Sequence, residues 1–579
     1  MNPNTIDRRT LLRSLGTAAA ACALAPGVEA AAQTHRGEAV ADSFLEVLRQ
    51  PDAIRITGGD DTDSQALSLS RAGERWSAAG VELTCSVSSG SVALSVHASA
   101  VPLRRIHLRW NGRVSDGVDV LGDAWERSYG DLAWLPLQAE RPLPWYCLVR
   151  ERSATAGPTH GYGVMTGAAA LAFWQMDELG ISLWLDVRNG GCGVRLGDRV
   201  LPLATVVTHR GRIDENAFHA AQELCKAMAR NVSLPVRRAT QALNLYGSND
   251  WYYAYGKNTA AGILRDADLM AEVAPAGTAR PFTVVDDGYQ DRSRFPDMAR
   301  LAEQIRQRGV SPGVWVRPLR AASSAPSAWR LPSSRFGSRK SRAAELAFDP
   351  TVPEARAATL AVVREAREWG FDLIKHDFTT YELLGNWGNE MGPSPTSDGW
   401  SFHDRSRTNA EIVGQLYRDI RSAAGEDRLI LGCNTIGHLA AGIFDAQRTG
   451  DDVSGRTWER TRRMGVNTLA FRLPQHRIFF AADADCVPIT REIPWSMTEQ
   501  WLRVVAASST VLLVSPEPGA VGPEQKRALR EAMEMSVSAR SSSAPIDWTQ
   551  TRTPGQWSDG ANTAHYQWNE VGGADPFGV

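Results

Sequence analysis

The sequence predicts a multidomain chain: an N-terminal antiparallel β-sandwich, a central (β/α)8 TIM barrel and a short C-terminal β segment. Three observations predict it. At 579 residues the chain is too long for one ordinary domain. Its first third alternates apolar and polar residues in period two. From about residue 240 the rhythm changes to short apolar runs separated by longer amphipathic stretches.

The first 32 residues read as a twin-arginine signal peptide. Arg8 and Arg9 form the arginine pair, and an apolar stretch follows from 15 to about 25. Ala30, Ala31 and Ala32 offer a small-residue cleavage site before Gln33. The apolar stretch is too short for a stable membrane span, and no later stretch of the sequence is long and apolar enough for one. The expectation is export as a folded protein, to the periplasm or beyond.

Residues 43–235 are expected to form the sandwich. SVALSVHAS (91–99), RRIHLRW (104–110), ISLWLDV (181–187) and TVVTHRG (205–211) alternate as half-buried strands do. Turn residues recur between such segments, as in NGR, RNGGCG and LGDR. NAFHAAQELCKAMARN (216–231) reads as a helix leading to the next domain.

The barrel is expected over 240–520. Its eight strand candidates are 242–247, 282–287, 311–318, 371–377, 428–434, 443–450, 477–483 and 510–516. Helical stretches lie between them, among them AAGILRDADLMAEVA, MARLAEQIRQRG and EARAATLAVVREAREWG. The last region, 521–579, holds a helix, PEQKRALREAMEMSV, and a reduced C-terminal β region around SAPIDWTQ and TAHYQW.

Composition narrows the function. The net charge of −2 gives no electrostatic footprint for nucleic acid or an anionic membrane. The six cysteines after Cys22 are scattered without a CxxC or zinc spacing. HExxH and GxGxxG are absent from the sequence, so no metal and no cofactor is expected. Nineteen tryptophans suit both core packing and stacking on sugar faces.

Barrel enzymes place their chemistry at the C-terminal ends of the strands. Polar residues gather there: Asp250-Trp251, Asp286-Asp287, Lys375-His376-Asp377, Cys433-Asn434, Arg448 to Asp452, and Asp483 with Asp485. A single terminal Asp is as often a helix cap. Several acids with a Lys and an Arg at one face suit a ligand rich in hydroxyls. Lys375 and Asp377, two apart, are expected on one face of their strand. Two carboxylates on different strands are the minimum for glycoside hydrolysis.

These segments resemble the α-galactosidases of glycoside hydrolase families 27 and 36. The resemblance covers about 240–540 and rests on five motifs in strand order: NLYGSNDWYYAYG, FTVVDDGYQ, LIKHDF, LGCN and DAQRTGDDV. The sandwich before the barrel favours family 36. The C-x-x-G-G-x-R and W-x-S-D forms common in that family are absent here.

The resemblance implies that Trp251, Asp286, Asp287, Lys375, Cys433 and Arg448 bind a terminal α-galactoside. It implies that Asp377 is the nucleophile and Asp452 the acid/base of a double displacement with retention. Asp451 is the alternative acid/base, and the spacing from Arg448 favours Asp452. Lys375 is expected to lower the pKa of Asp377, and Asp452 is expected to hold the higher pKa of the pair. Asp483 and Asp485 are expected in a supporting role.

Other readings of the same site are an α-N-acetylgalactosaminidase, a transglycosylase or a non-catalytic carbohydrate-binding protein. Gly437, Ala440 and Ala441 leave room for an acetamido group. The loop after strand 3 carries Arg330, Arg335, Arg339, Lys340 and Arg342, either to cover the pocket, to meet an anionic aglycone or simply to face solvent. Trp387 and Trp400 are candidates to stack on a further sugar unit. The oligomeric state is left open.

Overall fold

The computed structural model describes residues 44–577, apart from 61–63, 153–156, 233–237, 239–243, 339–345 and 539–541. The signal-peptide segment lies outside the described residues, as do Arg339, Lys340, Arg342 and the start of the first expected barrel strand.

Two antiparallel sheets form the N-terminal part. The six-stranded sheet is centred on Leu103–Asn111, Gly180–Asp186 and Leu171–Asp177. The nine-stranded sheet is centred on Ser91–Ala98, Gly197–His209 and Thr159–Val164. The alternation read from the sequence is the burial pattern seen. In Ser91–Ala98 the side chains of Val92, Leu94, Val96 and Ala98 are buried, with more exposed residues between them.

The helix expected after the sandwich runs from Ala217 to Met228. Asn216 caps it by accepting from the His219 N–H at 2.8 Å. The helix lies on the strand Thr159–Val164, where Gly161 and Gly163 make room. A methyl at either glycine would approach Leu224 or Met228 to 2.8 or 2.7 Å.

All eight barrel strands are present. They are Tyr246–Asn249, Phe282–Val285, Ser311–Val316, Leu373–His376, Leu429–Gly432, Ala446–Arg448, Ala481–Asp483 and Leu512–Pro516. Neighbours pair in parallel, and strand 8 returns to pair with strand 1. Closure between strands 7 and 8 starts at one bridge, with the Val511 N–H donating to the Ala482 carbonyl at 2.9 Å. Strand 7 then breaks at Asp485, whose φ is +71°, and resumes as Val487–Ile489 against strand 8. Strand 1 is the one element displaced from expectation: the apolar ALNLYG run predicts 242–247, but the paired residues are YGSN. Ser248 and Asn249 bury their polar groups on Thr283 and Asp286, which an apolar pattern does not register.

The helices between strands follow the amphipathic stretches, including Ala260–Val273, Met298–Gln307, Pro353–Glu368, Asn409–Ala424 and Trp495–Ala507. The chain after strand 8 forms the helix Pro523–Val537 and a small three-stranded sheet, Ala544–Pro545, Gln556–Ser558 and Thr563–His565. Among the described residues no helix is long and apolar enough to cross a membrane.

Sandwich and barrel share a buried polar joint. Asp123, at the end of a sandwich strand, accepts from His438 Nε2 at 2.8 Å and Gln475 Nε2 at 2.7 Å, and pairs with Arg472 at 3.0 Å. Trp145 stacks on the His438 ring at 4.8 Å. Removing one partner of a buried ion pair strands the other charge. Asp123→Asn is therefore expected to cost about 3–5 kcal/mol of stability. Denaturant unfolding measures it, and an unchanged midpoint would show that the joint contributes nothing.

Candidate active site

The barrel mouth collects the predicted residues because parallel strands all end on one side. At its base lies an ion pair. Lys375 Nζ, on strand 4, donates to Asp286 Oδ2 at 2.8 Å. Asn249 Nδ2 donates to the same oxygen at 2.7 Å. Both charged groups are buried, with Lys375 6% and Asp286 3% exposed. Burial works against the ammonium, but the Asp286 carboxylate outweighs it and holds Lys375 protonated well above its ordinary range.

This corrects one expectation. Lys375 reaches Asp286 and not Asp377, although two residues separate it from Asp377. Strand 4 ends at His376, and Phe378 takes a left-handed turn at φ +65°. Asp377 therefore sits on the turn, not on the pleat. Its carboxylate is held by N–H donors instead: Trp315 Nε1 at 3.0 Å, the Phe378 N–H at 2.7 Å and the Asn434 N–H at 3.1 Å.

Two further carboxyls crowd the base. Burial and then the Asp286 charge raise Asp287 above its usual range. Burial, seconded by Asp286, pushes Asp250 up to about 7. Asp250 Oδ1 accepts the Asp286 N–H at 2.8 Å, fixing the backbone that carries both aspartates of the DDG motif. Trp251 follows at the rim, half-buried, with Tyr255 beside it at 5.7 Å between rings.

On the other side stand Arg448 and Asp452. Arg448 pairs with Asp485 at 2.5 Å, reaches Asp452 Oδ1 at 3.3 Å and approaches Cys433 Sγ at 3.4 Å. Asp485 also accepts from the Tyr252 hydroxyl and from the Val453 N–H at 3.0 Å. Its strand-breaking turn thus anchors the arginine, the supporting role expected of it. The Asp452 side chain remains 40% exposed, facing the mouth.

The sequence reading missed the contribution of the sandwich. The segment WERSYGD (125–131) enters the mouth beside strand 6. The Ser128 N–H donates to the Thr449 carbonyl at 2.9 Å, and the Asp451 N–H donates to the Ser128 carbonyl at 2.8 Å. Arg127 is buried there, 2.7 Å from Asp451 and 3.5 Å from Asp452. It lies 3.7 Å from Cys433 Sγ, and its guanidinium covers the Trp387 ring at 5.4 Å. The only sequence signal is a Trp, three charges and a Gly together in a sandwich loop, which solvated loops also show.

Asp451 is locked, because Arg460 holds its other oxygen at 2.8 Å. Asp452 is the freer carboxyl of the two. Burial raises its pKa, but Arg448, Arg127 and Lys375 outweigh burial and hold it below the ordinary carboxylate range. The expectation is an acid with the higher pKa of the pair; the cationic crowding instead moves this carboxyl down. Cys433 lies between the two sides: burial first, then the Asp377 charge, keeps its thiol protonated.

Other expectations change on contact. Trp400 is buried against Phe402, so it has no face for a sugar. Trp387 is half-buried at the mouth and stacked on Tyr381 at 4.3 Å. Arg335 is a buried strut that donates to the Glu382, Pro332 and Leu331 carbonyls. Gly437 packs near Phe480, and Ala441 lines a separate cavity of about 380 Å³ with Thr166 and Arg418. Neither opens space beside Cys433. The six cysteines of the described residues are all free and buried.

No protein-family model matches the sequence. The structure is similar to solved α-galactosidases. One is that of Thermus thermophilus in complex with p-nitrophenyl α-D-galactopyranoside, at 17% identity, covering 88% of this chain and 99% of that one, with a TM-score of 0.55. A second is the family 36 α-galactosidase AgaB of Geobacillus stearothermophilus, at 12% identity, 84% and 75% coverage, and a TM-score of 0.57. A third is the A355E form of AgaA from the same organism with 1-deoxygalactonojirimycin, at 13% identity, 83% and 72% coverage, and a TM-score of 0.53. The chain thus has the multidomain fold of family 36 α-galactosidases.

Proposed function

We propose that the protein is a retaining glycoside hydrolase that cleaves terminal α-galactosides. The observation that carries this reading is the pairing of two unlike carboxyls at one mouth. Asp377 is fixed by three N–H donors and, among the described residues, touches no cation among its hydrogen-bond partners. Asp452 is exposed to the mouth and set against two guanidiniums. The first is built to be an oriented nucleophile and the second to exchange a proton with a leaving oxygen.

The mechanism follows from that geometry. Asp377 attacks the anomeric carbon, forming a galactosyl ester as the bond to the aglycone oxygen breaks. Asp452 gives its proton to that oxygen. Asp452 then takes a proton from water, which attacks the same carbon and releases galactose with Asp377 restored. The Lys375–Asp286 pair, with Asp287, offers donors and acceptors to sugar hydroxyls. Trp251 offers an apolar face. The reaction so written calls for neither a metal nor an organic cofactor.

Arg127 favours galactose over N-acetylgalactosamine. Its side chain fills the space beside Cys433 and Arg448, the side that the resemblance assigns to the sugar's 2-position. Among aryl α-glycosides, the mature protein is expected to release p-nitrophenol from the α-galactoside, with Asp377→Asn lowering kcat by about 10³-fold or more. Release from the α-N-acetylgalactosaminide alone would move the specificity, and an active Asp377→Asn would remove the nucleophile.

The depressed pKa of Asp452 sets the pH profile. The acid must be protonated, and above its pKa the protonated fraction falls tenfold per pH unit. The kcat/KM is therefore expected to fall towards alkaline pH from an optimum on the acid side. Arg127→Met removes one of the charges that depress it, so its alkaline limb should move to higher pH. A limb that stays, or moves down, would mean that Arg127 does not govern this carboxyl.

The twin arginine and small-residue site also support export to the periplasm or medium. N-terminal sequencing of the protein recovered outside the cytoplasm is expected to begin at or near Gln33. An intact Met1 on that material would argue against cleavage.

A further inference from the structure

Glu126 is buried completely and takes no part in the mechanism above; burial pushes its carboxyl up to about 7, against the pull of Arg127 and of the groups that hydrogen-bond to it. It belongs to the sandwich yet makes two of its three hydrogen bonds in the barrel. Its Oε2 accepts from Asn434 Nδ2 at the end of strand 5. Its Oε1 accepts the Gly388 N–H at 3.0 Å and the Tyr129 hydroxyl. Gly388 is fitted to it: a methyl there would approach Glu126 Cγ to 2.6 Å.

Asn434 is the link to the reacting carboxylate. Its own N–H donates to Asp377 Oδ1 at 3.1 Å. Its side-chain oxygen accepts the Tyr381 N–H at 3.0 Å, and its carbonyl accepts the Thr380 N–H at 3.1 Å. The Asn434 side chain is thus held at both ends, by Glu126 and by the helix that follows Asp377.

We propose that Glu126 is a positioning residue for the Asp377 carboxylate, acting across the domain boundary through Asn434. The inference rests on the reading of Asp377 as nucleophile. Three donors converge on Glu126: one from strand 5, one from the loop that carries Trp387 and one from its own loop. Losing the carboxylate frees Asn434 to rotate and lets the Asp377 turn drift. Misplacement of a reacting group by about 1 Å is enough to cost about 100-fold in rate. The sugar contacts at Asp286 and Lys375 involve neither Glu126 nor Asn434, so ground-state binding should survive.

Glu126→Gln tests this, because an amide cannot accept from all three donors: its nitrogen must face one of them. The expected result is a kcat lowered by about 10- to 100-fold with KM for the aryl α-galactoside within about twofold. Asn434→Ala should behave alike, and the double variant should lose no more than Asn434→Ala alone, since both act on one link. Multiplicative losses in the double variant, or a normal kcat in Glu126→Gln, would overturn the proposal. If Glu126→Gln folds poorly, Tyr129→Phe removes one donor and is read in the same way. A wild type inactive on every glycoside would instead defeat the nucleophile reading. The linkage is then judged by crystallography: Asp377 shifted off the Asn434 N–H in Glu126→Gln supports it, and an unmoved Asp377 overturns it.

Discussion

The site depends on one seam, where the sandwich loop adds two backbone hydrogen bonds to the end of strand 6. Ser128 bonds to Thr449 and Asp451 as a further strand would. That seam fixes the depth of Arg127 and Glu126, which lie on either side of no more than one peptide. A buried guanidinium and a buried carboxylate are each costly alone. Here each finds its partners only when the barrel mouth is assembled: Arg127 on Asp451, Asp452 and Cys433, Glu126 on Asn434 and Gly388. The sandwich is therefore part of the mouth and not an appendage to it.

Electrostatics then divides the mouth into two halves. One half is a carboxylate cluster, Asp250, Asp286 and Asp287, with the Lys375 ammonium in contact with it. Burial first, and then the Asp286 charge, raises Asp250 and Asp287, which makes them able to hold protons and to donate as well as accept. The other half is a guanidinium pair, Arg127 and Arg448, shared among Asp451, Asp452 and Asp485. Asp377 lies between, held by neutral donors. A neutral polyol suits the first half, and charge developing on a leaving oxygen suits the second.

Most of this was legible in the sequence, for identifiable reasons. Parallel strands buried on both faces are short apolar runs, and seven of them fell in place. Strand 1 is polar where it pairs, so its run of apolar residues pointed too early. The DDG and K-x-D motifs marked Asp286, Asp287, Lys375 and Asp377 correctly as residents of the mouth. Period two failed between Lys375 and Asp377 because the pleat ends at His376 and a left-handed Phe378 redirects the chain. Arg127, Glu126 and Trp315 were not legible, since their partners lie up to some three hundred residues away in the sequence. The depressed pKa of Asp452 followed from the same blindness: one of its two guanidiniums comes from another domain.

The central claim is that Asp377 forms a bond to the sugar. The most direct measurement is mass spectrometry of the protein after reaction with a fluorinated α-galactosyl fluoride, whose ring fluorine slows hydrolysis of the ester more than it slows its formation. The account predicts one galactosyl adduct, on the peptide that contains Asp377. An adduct on another carboxylate, or none from an enzyme that turns over the unfluorinated substrate, would contradict it.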